Sequence, residues 1–245
     1  FDDLTELEKA QRMAAWREVA RRIAHEIKNP LTPIQLSAQR LRRKYLRRFA
    51  EDGKVFEECT RTIINQVDEL KLLVNEFSNF ARMPAASLSP NDLPEIVEET
   101  ISLFRESHPS TTFAFEQQNP LPLLDLDREQ MKRVMINLLD NAVTAVDGNG
   151  EITVNLSFDE ILKIARLEVS DNGPGIPAKD KIGMFEPYFS TKEKGSGLGL
   201  AIVSNIIADH HGFIRVRDNQ PRGTTIVIEL PGGSRKSGKS VTELA

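Results

Sequence analysis

The six residues Asp171-Asn172-Gly173-Pro174-Gly175-Ile176 carry the strongest local signal for the fold. They follow residues 162–170 directly, where apolar and polar side chains alternate as they do in a strand. A carboxylate at a strand end can accept a hydrogen bond from a ligand, and glycines permit a close backbone approach. Taken alone, Asp-Asn-Gly is more often a plain turn. Evidence from the neighbouring segments is therefore needed to distinguish a turn from a binding loop.

An asparagine-bearing helix is predicted upstream of this loop. Asp127 and Gln130 resemble a capping pair that opens it. In Asn137-Leu138-Leu139-Asp140-Asn141-Ala142 the two asparagines are four residues apart and share one helix face. Amide oxygens are neutral ligands that suit a Mg²⁺ ion that also holds phosphate oxygens and water. A polar helix surface is the alternative interpretation of this segment.

Two further clusters follow the loop. Met184-Phe185-Glu186-Pro187-Tyr188-Phe189-Ser190-Thr191-Lys192 sets three aromatic rings among polar residues, as a small hydrophobic plug or a mobile lid would. Lys192 could reach a phosphate as a point charge. Gly195-Ser196-Gly197-Leu198-Gly199-Leu200 opens a predicted helix, and backbone donors at a helix N-terminus attract phosphate. A dinucleotide-binding loop is disfavoured because it needs a strand directly before its glycines. No Gly-x-x-x-x-Gly-Lys-Ser/Thr loop occurs.

The remaining segments of the second half predict an α/β sandwich. Helical patterns at residues 93–106 and 198–210 alternate with strand-like segments, which are residues 111–117, 151–158, 162–170, 213–217 and 224–230. This order predicts helices packed on one face of a sheet. Residues 83–94 are rich in proline and serine, and this composition predicts a linker between the two halves of the chain.

The first half predicts a helical hairpin. Apolar residues recur at steps of three, four or seven on both sides of a polar turn at Gly53, namely Val19, Ile23, Ile27, Ile34, Leu41 and Tyr45, then Ile63, Val67, Leu70, Val74, Phe77 and Ala81. One hairpin cannot cover both apolar stripes well, whereas two hairpins can do so in a homodimeric four-helix bundle. A monomeric hairpin docked on the second domain is the competing interpretation.

His25 lies in the run Arg22-Ile23-Ala24-His25-Glu26-Ile27-Lys28-Asn29-Pro30-Leu31 of the first helix. Its helical phase, two residues or about 200° from the apolar stripe, points it away from the hairpin core. Glu26 can accept a proton from one imidazole nitrogen, which leaves the other nitrogen free to attack phosphorus. Asn29 shares the face of His25 and could position a water molecule. A histidine without such neighbours is more often an ordinary surface residue.

Composition limits the class of protein. The chain has 245 residues, of which 40% are hydrophobic and 28% charged, so one large or two modest globular domains are expected. A net charge of −4 gives no basic excess, and no nucleic-acid partner is expected. The lone Cys59 predicts neither an internal disulfide nor a thiolate metal site. No apolar run approaches the roughly 20 residues of a membrane helix, so any membrane attachment is expected through segments outside these residues.

Taken in order, these clusters resemble the H, N, G1, F and G2 boxes of sensor histidine kinases over about residues 14–231. The resemblance implies an α+β protein: a phosphotransfer hairpin (HisKA) in a dimeric four-helix bundle, then an ATP-binding domain of the Bergerat or GHKL fold. The nitrogen-regulation kinases of the NtrY type are the most similar subfamily. The implied boundaries are 1–13 for the end of an upstream signalling link, 14–83 for the hairpin, 84–92 for a linker, 93–231 for the ATP-binding domain and 232–245 for a flexible tail.

The resemblance also implies roles for individual residues. His25 would accept the γ-phosphoryl group of ATP, Glu26 would be the general base, and Asn29 would assist dephosphorylation of the partner. Asn141 would hold Mg²⁺, with Asn137 as a second candidate ligand. The remaining residues implied to bind ATP are Asp171, which would read the adenine amino group, and Gly173, Gly175, Lys192, Gly195, Gly197, Gly199, Leu200 and Thr224.

The resemblance implies a homodimer whose partner is the receiver domain of a response regulator, in the cytoplasmic portion of an inner-membrane sensor. A GHKL ATPase of the Hsp90 or MutL kind is a competing hypothesis, and it needs a catalytic acid in the asparagine helix. Asp140 is one residue before Asn141 and so is not at the expected place. A nonenzymatic dimeric binding module is a second hypothesis, against which Asn141, Asp171 and the lid glycines argue. A sensor that acts mainly as a phosphatase would keep the same residues.

Overall fold

The computed structural model describes residues 24, 26–46, 53–81, 85–187, 189 and 197–232, and these form two compact units that divide after Pro84. Three of the predicted site residues, His25, Lys192 and Gly195, lie outside the described residues. Within the described ranges, no helix has both the length and the hydropathy of a membrane span.

The described residues of the N-terminal unit form two helices, α1 (residue 24 and residues 26–45) and α2 (Gly53–Ala81). Gly53 is therefore the first helical residue of α2, and the prediction that places it in a polar turn is wrong. A terminal position tolerates glycine because its N–H has no partner inside the helix in any case. The cost of glycine applies mainly to helix interiors.

Each helix of this unit contributes one row of buried side chains, spaced seven residues apart, to the contact between the two helices. The row on the first helix consists of Ala24, Leu31 and Ala38, and the row on α2 of Thr60, Val67 and Val74, and all six are at most 7% exposed. Polar contacts flank the rows: Arg42 pairs with Glu57 at 3.2 Å, and the Gln35 amide donates to Asp68 Oδ1 at 2.6 Å. Because residue 35 faces 68 while residue 42 faces 57, the helices run antiparallel.

A second row of apolar side chains stays exposed on the same unit. Ile27, Ile34 and Leu41 on α1 are 40%, 47% and 47% exposed, and Ile63 and Leu70 on α2 are 44% and 45% exposed. These are members of the apolar stripes that the sequence predicts. The hairpin of one chain therefore buries only part of its apolar surface.

The C-terminal unit is built on a five-stranded mixed sheet with the strand order β2–β4–β5–β7–β6. Its strands are β2 (Thr112–Gln117), β4 (Glu151–Asp159), β5 (Ile164–Asp171), β6 (Phe213–Asp218) and β7 (Thr224–Pro231). β2 pairs with β4 in parallel, and the other pairs are antiparallel. A short antiparallel ribbon joins β1 (Ser89–Asn91) to β3 (Leu124–Leu126).

Helices cover one face of this sheet. They are α3 (Leu93–Ser107), α4 (Arg128–Ala145) and α6 (Gly199–Asp209), and a single exposed turn, α5 (Ala178–Lys181), precedes α6. Under them, Ile152, Val154 and Leu156 of β4 are fully buried. The opposite face is polar and carries ion pairs such as Arg217 with Glu168 at 2.8 Å. The predicted fold class, a helical region followed by an α/β sandwich, is confirmed.

Candidate functional site

The two asparagines of α4 lie against the first residue of α6. The Asn137 amide nitrogen donates to the Arg133 carbonyl at 2.7 Å, which orients the side chain. A Cβ atom placed on Gly199 would lie 3.0 Å from Asn137 Oδ1 and 3.9 Å from Asn141 Nδ2. The absence of a side chain at Gly199 lets the N-terminus of α6 lie close to the asparagine face, since a Cβ atom there would require Asn137 to shift.

Asp171 is the last residue of β5 and is only 7% exposed. Its Oδ1 atom accepts hydrogen bonds from Gly173 N at 2.9 Å and from Thr224 N at 3.3 Å. Burial raises the pKa of the Asp171 carboxyl, and these two N–H groups oppose the rise. Since both N–H groups bind Oδ1, the carboxyl is oriented within the protein and presents Oδ2 to a donor from outside.

Two glycines bring the loops of the site together around Asp171. Gly223 has a φ of 115°, and a Cβ atom there would lie 1.9 Å from the Asp171 carbonyl oxygen, so no side chain fits. A Cβ atom on Gly173 would lie 2.8 Å from the Ala145 carbonyl at the end of α4. The start of β7, the end of β5 and the end of α4 therefore meet at one place.

The described part of the predicted lid joins the site through α6. Gly197 has a φ of 68°, Leu198 is buried, and Leu200 is half-buried in the first turn of α6. The structure thus places the described site residues of the C-terminal unit in two groups beside α4. Asn137 and Asn141 lie close to Gly199, while Gly173, next to the end of α4, belongs with Asp171, Gly175 and Thr224. Glu26 and Asn29 lie in α1 of the other unit, and both are exposed.

Two asparagines to which the sequence patterns gave no function hold the loops in place, namely Asn219 and, in the loop after β5, Asn172. Asn219 donates through its amide to the Asp171 carbonyl at 2.8 Å, and its backbone N–H donates to the Gly223 carbonyl at 3.0 Å. Asn172 accepts from Glu151 N at 3.0 Å. Asparagine after a strand signals a turn, but its distant partners leave no local pattern.

Comparisons with known proteins agree with this geometry. Residues 15–86 match the family described as "His Kinase A (phospho-acceptor) domain", and residues 126–234 match "Histidine kinase-, DNA gyrase B-, and HSP90-like ATPase". The fold and the site therefore define an ATP-binding domain of the GHKL class that follows a helical phospho-acceptor unit. The chain belongs to the histidine kinase family, which confirms the resemblance inferred from its motifs.

Individual relatives are similar over nearly the whole chain. Nitrogen regulation protein NtrY of Azorhizobium caulinodans is 43% identical over 243 residues, which cover 97% of this chain and 31% of that protein. The crystal structure of full-length ShkA in complex with AMPPNP is 27% identical with a TM-score of 0.67, and the match covers 87% of this chain and 45% of that one. The histidine kinase ThkA in complex with response regulator protein TrrA is 28% identical with a TM-score of 0.67, covering 95% and 66%. The chain spans about a third of the length of the curated relatives that it matches.

Proposed function

We propose that this chain is the kinase core of a two-component sensor, which binds ATP with Mg²⁺, phosphorylates His25 and passes the phosphoryl group to an aspartate of a response regulator. One observation carries the proposal. Four clusters that are separate in the sequence, between residues 137 and 224, converge around the C-terminal half of α4. Their side chains and backbone donors complement an adenine at one end and phosphates at the other.

The adenine end is formed by Asp171 and Thr224. Oδ2 of Asp171 accepts a hydrogen bond from the adenine amino group, while Oδ1 remains bound to the backbone of Gly173 and Thr224. A buried carboxylate held in one orientation needs no rearrangement when the base binds, so the ordering cost of binding is small. Gly175 and Gly223 keep the loops beside this carboxylate free of side chains.

The phosphate end is formed by the asparagines of α4 and the N-terminus of α6. In the described ranges, no group of three or more histidine, cysteine, aspartate or glutamate side chains could hold a metal. Asn141, with Asn137 as a second ligand, instead offers amide oxygens to a Mg²⁺ ion that keeps phosphate oxygens and water as its other ligands. When bound, the ion neutralises charge on the phosphates. The backbone donors of Gly197 to Leu200 would bind the phosphates, and Gly195 and the Lys192 ammonium are further proposed contacts.

The phosphoryl step uses the first helix. A nitrogen of His25 forms a bond to the γ-phosphorus as the bond to the ADP oxygen breaks, and ADP is the leaving group. Glu26 accepts the proton of the other imidazole nitrogen, which keeps His25 nucleophilic. Asn29 positions a water molecule for the reverse function, removal of phosphate from the response regulator. The ATP-binding unit must move toward His25 and away again during the cycle.

A second copy of this chain is the proposed cover for the exposed apolar row of α1 and α2. The row that includes Ile27, Ile34 and Ile63 is at least 40% exposed after each hairpin has closed on itself. Two hairpins that pack these rows together form a four-helix bundle. The receiver domain of a response regulator would dock beside His25, as the complex of ThkA with TrrA suggests.

The setting proposed for this core is the cytoplasmic side of an inner-membrane sensor. Residues 1–13 would end an upstream signalling link, residues 84–92 would connect the two units, and residues 232–245 would form a tail. The likeness to NtrY favours a function in nitrogen regulation.

Incubation with γ-labelled ATP and Mg²⁺ tests the proposed reaction. We expect label on the protein that is stable in base, lost in acid, and absent from His25→Gln. The matched control is His211→Gln, which replaces an exposed histidine of the ATP-binding unit and should label normally. Release of free phosphate by an unlabelled protein would instead identify an ATPase that performs conformational work.

A second assay separates the two proposed activities. Asn29→Ala should label His25 at a rate close to that of the unmodified chain, yet it should remove phosphate from a phosphorylated response regulator more slowly. Equal loss of both activities would contradict the separate functions assigned to Glu26 and Asn29.

A further inference from the structure

His210 is a buried histidine that the proposed reaction does not use. It caps the C-terminus of α6 and is 1% exposed. Its Nδ1 atom lies 2.7 Å from the Ile206 carbonyl oxygen, and its Nε2 atom lies 2.9 Å from the backbone N of Asp127. A carbonyl can only accept and a backbone N–H can only donate, so Nδ1 carries the proton and Nε2 is the acceptor. The hydrogen bonds therefore specify a neutral imidazole in a single tautomer.

The partner of this ring begins the asparagine helix. Asp127 is the N-cap of α4, and its Oδ1 accepts from Gln130 N at 3.1 Å, which confirms the predicted cap. Its Oδ2 accepts from Ser87 N at 2.9 Å. In a complete capping box the N-cap N–H is bound by a side chain of the same helix. Here that N–H is bound by His210, which is 83 residues away in the sequence.

This hydrogen bond connects the C-terminus of α6 to the N-terminus of α4, away from the proposed phosphate site. At the other end, Gly199 of α6 faces Asn137 and Asn141 of α4. A slip of one residue between the helices moves these ends by about 1.5 Å. The hydrophobic effect is not directional, whereas the hydrogen bond from Asp127 N to His210 specifies one position of α6 along α4.

We propose that His210 is a positioning residue for ATP: it holds α6 against α4 so that the N-terminus of α6 and the α4 asparagines bind the phosphates and Mg²⁺ together. The inference rests on the proposed ATP site. Asp171, the proposed adenine acceptor, ends β5, and its hydrogen bonds come from Gly173, Thr224 and Asn219, none of which lies in α6. Loss of the bond should therefore weaken contacts to the phosphates and spare contacts to the base.

Three substitutions distinguish the effects of the two hydrogen bonds that the His210 ring makes, one with Ile206 and one with Asp127. The oxygen of His210→Gln lies as many bonds from Cα as Nε2 does, so it can still accept from Asp127 N. His210→Asn reaches only the position of Nδ1 and loses Asp127, and His210→Leu loses both bonds. His211→Gln is the matched control, since His211 is the adjacent and exposed histidine.

The measurements are the Kd values of Mg²⁺-ATP and of adenosine, at a temperature where thermal unfolding shows each variant to be folded. We expect His210→Asn and His210→Leu to weaken ATP binding about tenfold or more, since small misplacements of positioned groups are costly. Adenosine binding should change less than about twofold, and His210→Gln should restore most of the ATP affinity. The KM for ATP should rise in His25 labelling with a smaller change in kcat.

Two results would overturn the inference. Equal weakening of ATP and adenosine, or an unchanged ATP affinity in a folded loss variant, would make His210 a purely structural residue. If one loss variant does not fold, the other decides the comparison. Failure of the unmodified chain to bind ATP would instead overturn the proposed function, and with it this inference.

Discussion

Asp171 holds a carboxyl group where burial opposes its charge. Burial raises its pKa, and the N–H groups of Gly173 and Thr224 recover only part of that cost. A buried carboxyl group that lowers stability in this way is a candidate for a functional role, which fits the adenine contact proposed for Asp171. An asparagine at position 171 would place its NH2 group where Oδ2 lies now. That group is a donor, so it could not accept the hydrogen bond proposed from the adenine amino group.

Replacement of this carboxyl should therefore change binding and stability in opposite directions. We expect Asp171→Asn to weaken ATP binding about 10- to 100-fold, because a hydrogen bond to a charged group contributes about 1.5–3 kcal/mol. The ligand-free thermal midpoint should stay the same or rise. Calorimetric titration and thermal unfolding measure the two effects, and Asp147→Asn, at an exposed aspartate of the loop after α4, is the control.

The raised pKa of Asp171 also sets the sign of a pH dependence. The folded carboxyl binds its proton more tightly than the unfolded one, so ionisation favours unfolding. We expect the stability of the unmodified chain, relative to Asp171→Asn, to fall as pH rises from about 4, the ordinary range of an aspartate. Thermal midpoints of the two proteins should converge in acid and separate toward neutral pH, and the opposite order would contradict the assignment.

His211 has a backbone conformation that favours glycine, with a φ of 57° directly after the end of α6. We expect His211→Gly to raise the free energy of unfolding by about 0.5–1 kcal/mol, since the left-handed conformation costs a residue with a Cβ atom more than it costs glycine. The adjacent Gly212→Ala should destabilise, because its Cβ atom would lie 2.6 Å from the Glu229 carbonyl oxygen. Denaturant unfolding of both variants measures this contrast.

At the scale of elements, the contact between α4 and α6 brings together the residues of the proposed phosphate end of the site. Their buried side chains include Met131 and Val134 on α4 and Ile202 and Ile206 on α6. At one end of this packing Gly199 touches Asn137, and at the other His210 binds Asp127. The positions of the α4 asparagines and of the N-terminus of α6 therefore depend on how these two helices are aligned, and not on one loop.

A methyl group at the contact point should disturb this alignment without unfolding the domain. Gly199→Ala puts a Cβ atom 3.0 Å from Asn137 Oδ1, so the asparagine must shift by a few tenths of an ångström. Gly199 is the first residue of α6, where glycine costs a helix little, so stability should change little while Mg²⁺-ATP affinity falls. Isothermal titration and thermal unfolding test this, and Ala208→Gly, near the C-terminus of α6, is a control for helix propensity alone. Unchanged affinity would contradict the proposed phosphate contact.

At the scale of the whole molecule, the hairpin leaves half of its apolar pattern uncovered. Ile34 on the exposed row is 47% exposed, while Leu31 on the row that packs within the chain is 7% exposed. Both rows repeat every seven residues. A protein that exposes such a row along two helices is suited to association with a second copy of itself.

A charge on this row should prevent dimer formation. We expect the unmodified chain to sediment as a dimer and Ile34→Lys to sediment as a monomer, because the substitution puts a charge in the bundle core. Leu36→Lys is the matched control: it is 56% exposed and, two residues on, lies on another face of α1. A monomeric unmodified chain would contradict the proposed homodimer.

Signals that lie within one element allowed much of this molecule to be predicted. The end of β5 at Asp171, the cap at Asp127 and the glycines before α6 each depend on residues a few positions apart, where periodicity and capping chemistry act. The error at Gly53 has the same origin, because glycine signals a turn whether it lies just outside a helix or at its first position.

The sequence by itself determined the order of the longer elements, the class of fold and the family, because each motif is a local arrangement of donors, acceptors and apolar side chains. It did not reveal the short elements β1, β3 and α5, and β1 lies within the predicted linker. Only the tertiary structure decided which of two equally periodic rows closes the hairpin, why Gly223 admits no side chain, and that His210 binds the cap of α4. Those contacts join residues that are distant in the sequence. The interaction energy of these contacts depends on segments that packing brings together, so the periodicity of the local sequence does not predict them.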